Sequence, residues 1–338
     1  MQLNPITQTP TTIITGFLGA GKTTLINQLL THKDAQPWAL LINEFGKIGV
    51  DGDLITKDST LAIKEVSGGC ICCTSQLPLQ IALVRLLAEH RPHRLIIEPT
   101  GLAHPDELLE QLSQPHWQTS LKLTAVICVL SAAQWQQDKY RNHDGYIAHV
   151  RHADAVVVNR LDCLERPDEL MAWLNDISPT AQIFTDTIDA AAATKLLDMP
   201  HHTKTAKRQV PLTLIRPASQ QMSKPSDDTD GTLPYRYHES MAGYQVGGWR
   251  LPDDWQFDSY ELQKWLLARP NYLRIKGIIH TNEGWLALNI TADSISISDS
   301  APHSDTKIEL IFDSKDSLSD EIWQDWDNQL MTLICADS

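Results

Sequence analysis

Two clusters in this chain have residue types and spacings that do chemistry without further assembly. The first is Gly16, Gly21, Lys22 and Thr23, which fit G-x-x-x-x-G-K-[ST] within the stretch TTIITGFLGAGKTTLINQLL. Glycines let the backbone curl until several N–H groups point at one phosphate. The lysine ammonium reaches the β- and γ-phosphates, and the Thr23 hydroxyl suits Mg²⁺. The second is Cys70, Cys72 and Cys73, three thiols in four residues behind Gly68-Gly69. Such thiols converge on one soft or borderline ion, and zinc takes thiolates at about 2.3 Å in a tetrahedron. Three protein ligands leave one position for a side chain, a water or a ligand from a partner, which suits transfer better than a closed site does. Thiol redox chemistry is the rival reading of the same residues.

Three further groups support the phosphate site. Glu98, in Glu98-Pro99-Thr100-Gly101, ends a predicted strand Arg94–Ile97 and takes the place of the Mg²⁺-side acid, with the Gly101 N–H placed to sense a γ-phosphate. Asn159-Arg160-Leu161-Asp162 follows a valine-rich strand and is similar to N-K-x-D. A carboxylate there accepts from both the ring N–H and the exocyclic amine of guanine, a donor pair that adenine lacks. Arg160 stands in the lysine position and stacks on a base plane through its guanidinium. Asp51 and Asp53, in the polar, glycine-rich stretch after Asn43, are candidate Mg²⁺ partners in a nucleotide-sensing switch. His104 is a candidate for a fourth metal ligand, with a surface histidine as the alternative reading. His149 and His152 share a helix face at i, i+3 and read as surface residues. Cys128, inside a long apolar strand, reads as core.

The elements that position these residues alternate. Strands are expected at Thr11–Thr15, Pro37–Asn43, Leu61–Val66, Arg94–Ile97, Leu121–Leu130, Ala155–Val158 and Gln182–Thr185. Helices are expected after the glycine loop and at Leu77–Glu89, Gly145–His152, Pro167–Asn175 and Ala190–Leu197. Alternation of this kind predicts an α/β P-loop fold, with a mostly parallel sheet covered by helices and its ligand at the strands' C-terminal ends. From Pro200 to Pro234 the pattern breaks into a histidine pair, His201-His202, and a polar run, Lys224–Gly231, which reads as a linker. Beyond it short strands and two helices (Ser259–Ala268 and Asp320–Ile334) predict a smaller α+β domain, its core and rim built from Trp249, Trp255, Trp265, Trp285, Trp323 and Trp326. The expected division is 1–199, 200–234 and 235–338. At 338 residues two domains are the better prior. The net charge of −14 argues against nucleic acid as a partner. No apolar run is long enough to span a membrane and the N-terminus lacks a signal-peptide pattern, so a cytoplasmic protein is expected.

Taken together, Gly16–Thr24, Asn43–Gly46, Gly68–Cys73, Glu98–Gly101 and Asn159–Asp162 resemble the CobW-type family of P-loop GTPases. Arg274-Ile275-Lys276-Gly277 resembles part of that family's C-terminal domain. The resemblance covers nearly the whole chain. It implies nucleotide binding at the loop residues Gly16, Gly19, Ala20, Gly21, Lys22, Thr23 and Thr24 and at Glu98, to which the reading of the residues themselves adds Gly101 for the γ-phosphate and Thr23 and Asp51 for Mg²⁺. It implies guanine reading by Asn159, Arg160 and Asp162, and Zn²⁺ or Co²⁺ at Cys70, Cys72 and Cys73. Many members carry a histidine-rich stretch; here only His201-His202 stands for it.

The expectation is a GTP-hydrolysing metallochaperone that binds Zn²⁺ at the C-x-C-C motif and delivers it to a client metalloprotein, with metal binding gated by nucleotide. Lys22 and Glu98 are its catalytic residues. A cobalt-handling member, and a zinc sensor or buffer with GTP as a structural ligand, are the alternatives, and a homodimer is an assembly this reading leaves open. Hydrolysis is expected to be slow, because the sequence alone offers no evident arginine finger.

Overall fold

The computed structural model describes residues 8–43, 48, 50, 52, 55, 59–66, 77–185, 187–202, 233–241, 243–291, 294–316 and 318–335. Cys70, Cys72, Cys73, Asp51 and Asp53 lie outside these residues, as do Glu44–Gly46 and most of the expected linker.

The first part is a seven-stranded sheet. In chain order its strands are β1 (Thr9–Thr15), β2 (Trp38–Asn43), β3 (Leu61–Val66), β4 (Arg94–Glu98), β5 (Leu121–Ser131), β6 (Ala155–Asn159) and β7 (Gln182–Phe184). Its spatial order is β3-β2-β4-β1-β5-β6-β7. Every pairing among them is parallel. The connections carry α1 (Lys22–Thr31), α2 (Leu77–His90), α3 (Pro105–Leu112), α4 (Ala132–Trp135), α5 (Asp138–Arg141), α6 (Asp144–Arg151) and α7 (Pro167–Ile177), and α8 (Ala190–Asp198) follows β7. Strands buried on both faces need near-continuous apolar runs. β2 (WALLIN) and β6 (AVVVN) are such runs, and Leu40, Leu41 and Ile42 are fully buried. β1 lies at the centre between β4 and β5, so the loop that leaves it opens between two neighbouring strand ends. That is where an open parallel sheet binds ligands. The expected α/β P-loop architecture is therefore the one observed.

The second part is a six-stranded antiparallel sheet of β8 (Tyr235–Met241), β9 (Tyr244–Pro252), β10 (Tyr272–Thr281), β11 (Gly284–Thr291), β12 (Ser294–Asp299) and β13 (Asp305–Asp313). The order is β12-β11-β10-β13-β9-β8. The helices α9 (Ser259–Leu267) and α10 (Asp320–Met331) cover one face. Alternation along β10 separates the two faces. Ile275 and Ile279 join Trp265, Trp323 and Trp326 in the core beneath the helices. Arg274, Lys276 and Ile278 point the other way. Across the ladder, Arg274 pairs with Ile311 and Thr291, and Lys276 with Glu309 and Asn289.

That second face packs on the first sheet's ligand end. Val246 and Ile311 share a core with Phe17 and Leu18 of the glycine loop, and Ile278 packs with Ile48 and Val50. At the start of the expected linker, His201 and His202 are tied down. The His201 Nδ1 lies 2.8 Å from an Asp154 carboxylate oxygen, and the His202 N–H donates to the other at 3.0 Å. Among the described residues no helix is long and apolar enough to cross a membrane.

Candidate nucleotide site

The loop between β1 and α1 is held by donors that occupy its carbonyls. Lys22 folds back and its ammonium donates to the carbonyls of Gly16 at 3.1 Å and Phe17 at 3.4 Å. Gln134 donates to Leu18 at 2.7 Å, and the Asn159 amide donates to Ala20 at 2.7 Å. Gly16, Gly19 and Gly21 all have positive φ, which bends the loop into a ring that L side chains resist. A loop whose carbonyls are occupied, at a helix N-terminus and around a buried ammonium, presents its amides to an anion.

Glu98 sits at the end of β4, 4% exposed, beside Lys22, which is 6% exposed. One Glu98 carboxylate oxygen, Oε2, is buried without a hydrogen-bond partner. Burial lowers the Lys22 ammonium to about 8, opposed by the Glu98 charge. Burial raises the Glu98 carboxyl, opposed by Lys22 and Arg274. A buried carboxylate oxygen with no partner, next to a buried cation, fits a polar ligand set that includes a phosphate and a metal ion. Thr23, half-buried in the first turn of α1, is the hydroxyl of that set.

Gly101 closes the other wall. A Cβ there would stand 2.6 Å from the Leu18 nitrogen and 2.9 Å from the Lys22 ammonium, so only glycine lets this backbone approach the loop. Its carbonyl lies 3.2 Å from His149 Nε2, and His149 Nδ1 lies 2.6 Å from the Thr15 hydroxyl. The expectation that His149 is a surface residue is thus corrected: it is 1% exposed, and Tyr146 and Val150 on the same helix are buried with it. The periodicity of α6 held that signal, because Tyr146, His149, Val150 and Ala153 form one apolar stripe. Gln134 carried no sequence signal at all.

The base-reading residues take three different environments. Asn159 faces the loop, with its side-chain oxygen buried and unpaired. Asp162 is exposed in a short 3₁₀ turn. Arg160 is exposed with φ 54° and its guanidinium donates to the Ser294 hydroxyl of β12. His104 is exposed at the start of α3. Among the described residues no three metal-binding side chains converge. Cys128 is buried core, as expected.

A central parallel sheet, a glycine loop wrapped on a buried lysine and an acid at the adjacent strand end define a P-loop nucleotide-binding protein. A family model described as the CobW/HypB/UreG nucleotide-binding domain matches residues 10–185. The chain is 32% identical over 335 residues to the zinc chaperone YeiR of Escherichia coli strain K12, covering 97% of this chain and 99% of that one. It is 36% identical over 191 residues to the zinc chaperone CobW of Sinorhizobium sp, covering 54% of this chain and 48% of that one. Among solved structures, the Zn(II)-bound YjiA GTPase of E. coli aligns with 97% of this chain and 99% of its own at 19% identity, with a TM-score of 0.41. The chain belongs to the CobW/HypB/UreG family and is a P-loop GTPase.

Proposed function

We propose that this GTPase is a zinc metallochaperone. GTP with Mg²⁺ binds at Gly16–Thr24, Glu98 and Gly101. Asn159, Arg160 and Asp162 read the guanine. Cys70, Cys72 and Cys73 hold Zn²⁺ as cargo for a client metalloprotein. The organisation that goes with this reading is a GTPase domain at 1–199, a connection at 200–234 and a C-terminal domain at 235–338. The observation that carries the reading is the buried Lys22–Glu98 pair under the glycine loop, in a chain aligned end to end with a protein named a zinc chaperone.

The chain's own residues supply the steps. Lys22 neutralises phosphate charge inside a site of low dielectric, where that charge is worth most. Glu98 and the Thr23 hydroxyl are the groups that would hold Mg²⁺, which would supply neutralisation of phosphate charge. The Gly101 amide reports the γ-phosphate. β3 ends just before the stretch that holds the three cysteines, and its neighbour β2 pairs with β4, which ends at Glu98. In this reading, loss of the γ-phosphate contacts loosens the zinc site and releases the metal to the client.

Zn²⁺ affinity, measured by chelator competition under reducing conditions, tests the gating. With Mg²⁺ and a non-hydrolysable GTP analogue the site should be about tenfold tighter than with Mg²⁺-GDP, a coupling of about 1.4 kcal/mol that must be reciprocal. Equal affinity in both states removes gating. Cys72→Ala should abolish zinc binding and keep GTP binding; a variant that keeps its zinc refutes the cargo assignment.

A further inference from the structure

The C-terminal sheet does more than cover the nucleotide site. Its inner face carries three buried ionisable side chains, Arg274 at 9%, Lys276 at 3% and Glu309 at 7% exposure. A face that served only as a lid would be better filled by apolar residues, because desolvating such charges costs more than their mutual attraction returns in most packed interiors. The strand pattern would allow that: Ile278, two residues beyond Lys276 on the same face, is apolar and fully buried.

The placement of Arg274 is specific. It lines a small cavity together with Lys22, Glu98, Gly101, Glu309 and Leu18, so residues of both sheets form its wall. The cavity's volume is about 10 Å³, room for roughly one water. The guanidinium is fixed from its own sheet, since its Nε donates to Asn289 Oδ1 at 3.2 Å. Glu309 accepts from the Tyr237 hydroxyl at 3.0 Å and faces the charges of Lys276 and Arg274. Two cations, Lys22 from the loop and Arg274 from β10, thus line one cavity with Gly101. A guanidinium presents a planar fork of donors that matches phosphate oxygens.

We propose that Arg274 recognises the terminal phosphate of the bound nucleotide, making the C-terminal domain the part of the chain that tells triphosphate from diphosphate. This rests on the reading of Lys22 and its loop as a GTP site. Arg274 is then a specificity-determining residue and Asn289 a positioning residue that acts through it. A diphosphate keeps the contacts of Gly16–Thr24 and lacks the group that Arg274 addresses, so the two ligands respond differently to its loss.

The test is fluorescence titration of the full-length chain, with Mg²⁺, using methylanthraniloyl-labelled GDP and a labelled non-hydrolysable GTP analogue. Arg274→Gln should weaken the triphosphate analogue by about tenfold or more and leave GDP within about twofold. Arg274→Lys should fall between, and Asn289→Ala should shift the same ligand in the same direction by less. An Arg274→Gln protein that melts cooperatively and loses both ligands in parallel, or neither, overturns the proposal. Should Arg274→Gln fail to fold, full wild-type preference in both Arg274→Lys and Asn289→Ala overturns it equally. Wild-type protein that binds both guanine nucleotides with one affinity removes the role of Arg274 alone. Wild-type protein that binds neither, or binds an ATP analogue as tightly, removes the GTP site on which the proposal stands.

Discussion

His149 Nε2 donates to the carbonyl of Gly101 at 3.2 Å, and the two residues meet behind the phosphate loop, away from any surface. A carbonyl only accepts, so the proton is on Nε2, and Nδ1 accepts from the Thr15 hydroxyl. One neutral imidazole therefore ties the end of β1 to the residue that closes the site. His149→Phe should cost about 1–3 kcal/mol in urea unfolding, because it leaves a buried hydroxyl and a buried carbonyl without a partner.

The same imidazole sets a pH dependence. Burial pushes it down to about 3, from 6.5 for an unburied histidine. Between those values the unfolded chain binds a proton that the folded chain refuses. Its contribution to stability is fully present above about 6.5 and falls by about 1.4 kcal/mol per unit as the pH drops. Urea midpoints of wild type and His149→Gln at pH 7, 6 and 5 should draw together, with the variant showing the shallower decline. Parallel curves would mean that His149 takes up its proton in the folded state.

Gly101→Ala should be far worse than its size suggests. The added methyl meets the Leu18 nitrogen at 2.6 Å and the Phe17 carbonyl carbon at 2.8 Å, both backbone atoms. Relief requires the loop itself to shift. We expect a loss of about 1–3 kcal/mol in stability and of nucleotide affinity together. A variant with normal affinity would show that the loop yields without cost.

Lys22 titrates at about 8 because it is buried. Phosphate binding restores a partner to the ammonium and draws its proton back. Calorimetry of nucleotide binding at pH 8, in buffers of different ionisation enthalpy, should therefore register uptake of up to about half a proton. Lys22→Met should abolish binding and also cost about 1–3 kcal/mol of unliganded stability, since it strands the Gly16 and Phe17 carbonyls and leaves the buried Glu98 without its neighbouring cation.

Asp154 ties the first sheet to the chain that leaves it. Its carboxylate accepts from the Val126 N–H at 2.8 Å and the His202 N–H at 3.0 Å, and faces His201 Nδ1 at 2.8 Å. Asp154→Ala should lower the unfolding free energy by about 1–3 kcal/mol, because it strands the buried Val126 N–H and frees the half-buried His201. Nucleotide affinity measured on the folded variant should not change.

Much of this was legible in the chain. The run from Thr11 to Leu30 dictated strand, loop and helix, because β-branched residues, glycines and then leucines at helical spacing each permit little else. Leu61–Val66 matches β3 at both ends. The misses have physical causes. β8 is absent from the expected strands, the first of which in this domain is Tyr244–Arg250, because Arg236, His238, Glu239 and Ser240 leave it no apolar run. α3 is a short helix whose start signal, Pro105 followed by Asp106 and Glu107, lies directly beyond the Glu98–Gly101 motif. The position of Arg274 against Lys22 had no local signature. It arises only when a strand more than two hundred residues downstream packs on the loop, and no periodicity reports on contacts of that range.

Thr291 packs over the phosphate loop where Gly19 leaves room for it. A Cβ on Gly19 would stand 2.5 Å from the Thr291 methyl. Close by, Arg160 bonds Ser294 on the next strand. The two halves of this molecule are therefore not interchangeable parts. On a loop bearing alanine or serine in place of Gly19 the added Cβ would meet the Thr291 methyl, and one of the two would have to shift. Any exchange of modules within the family would have to carry residue 19 and residue 291 across together.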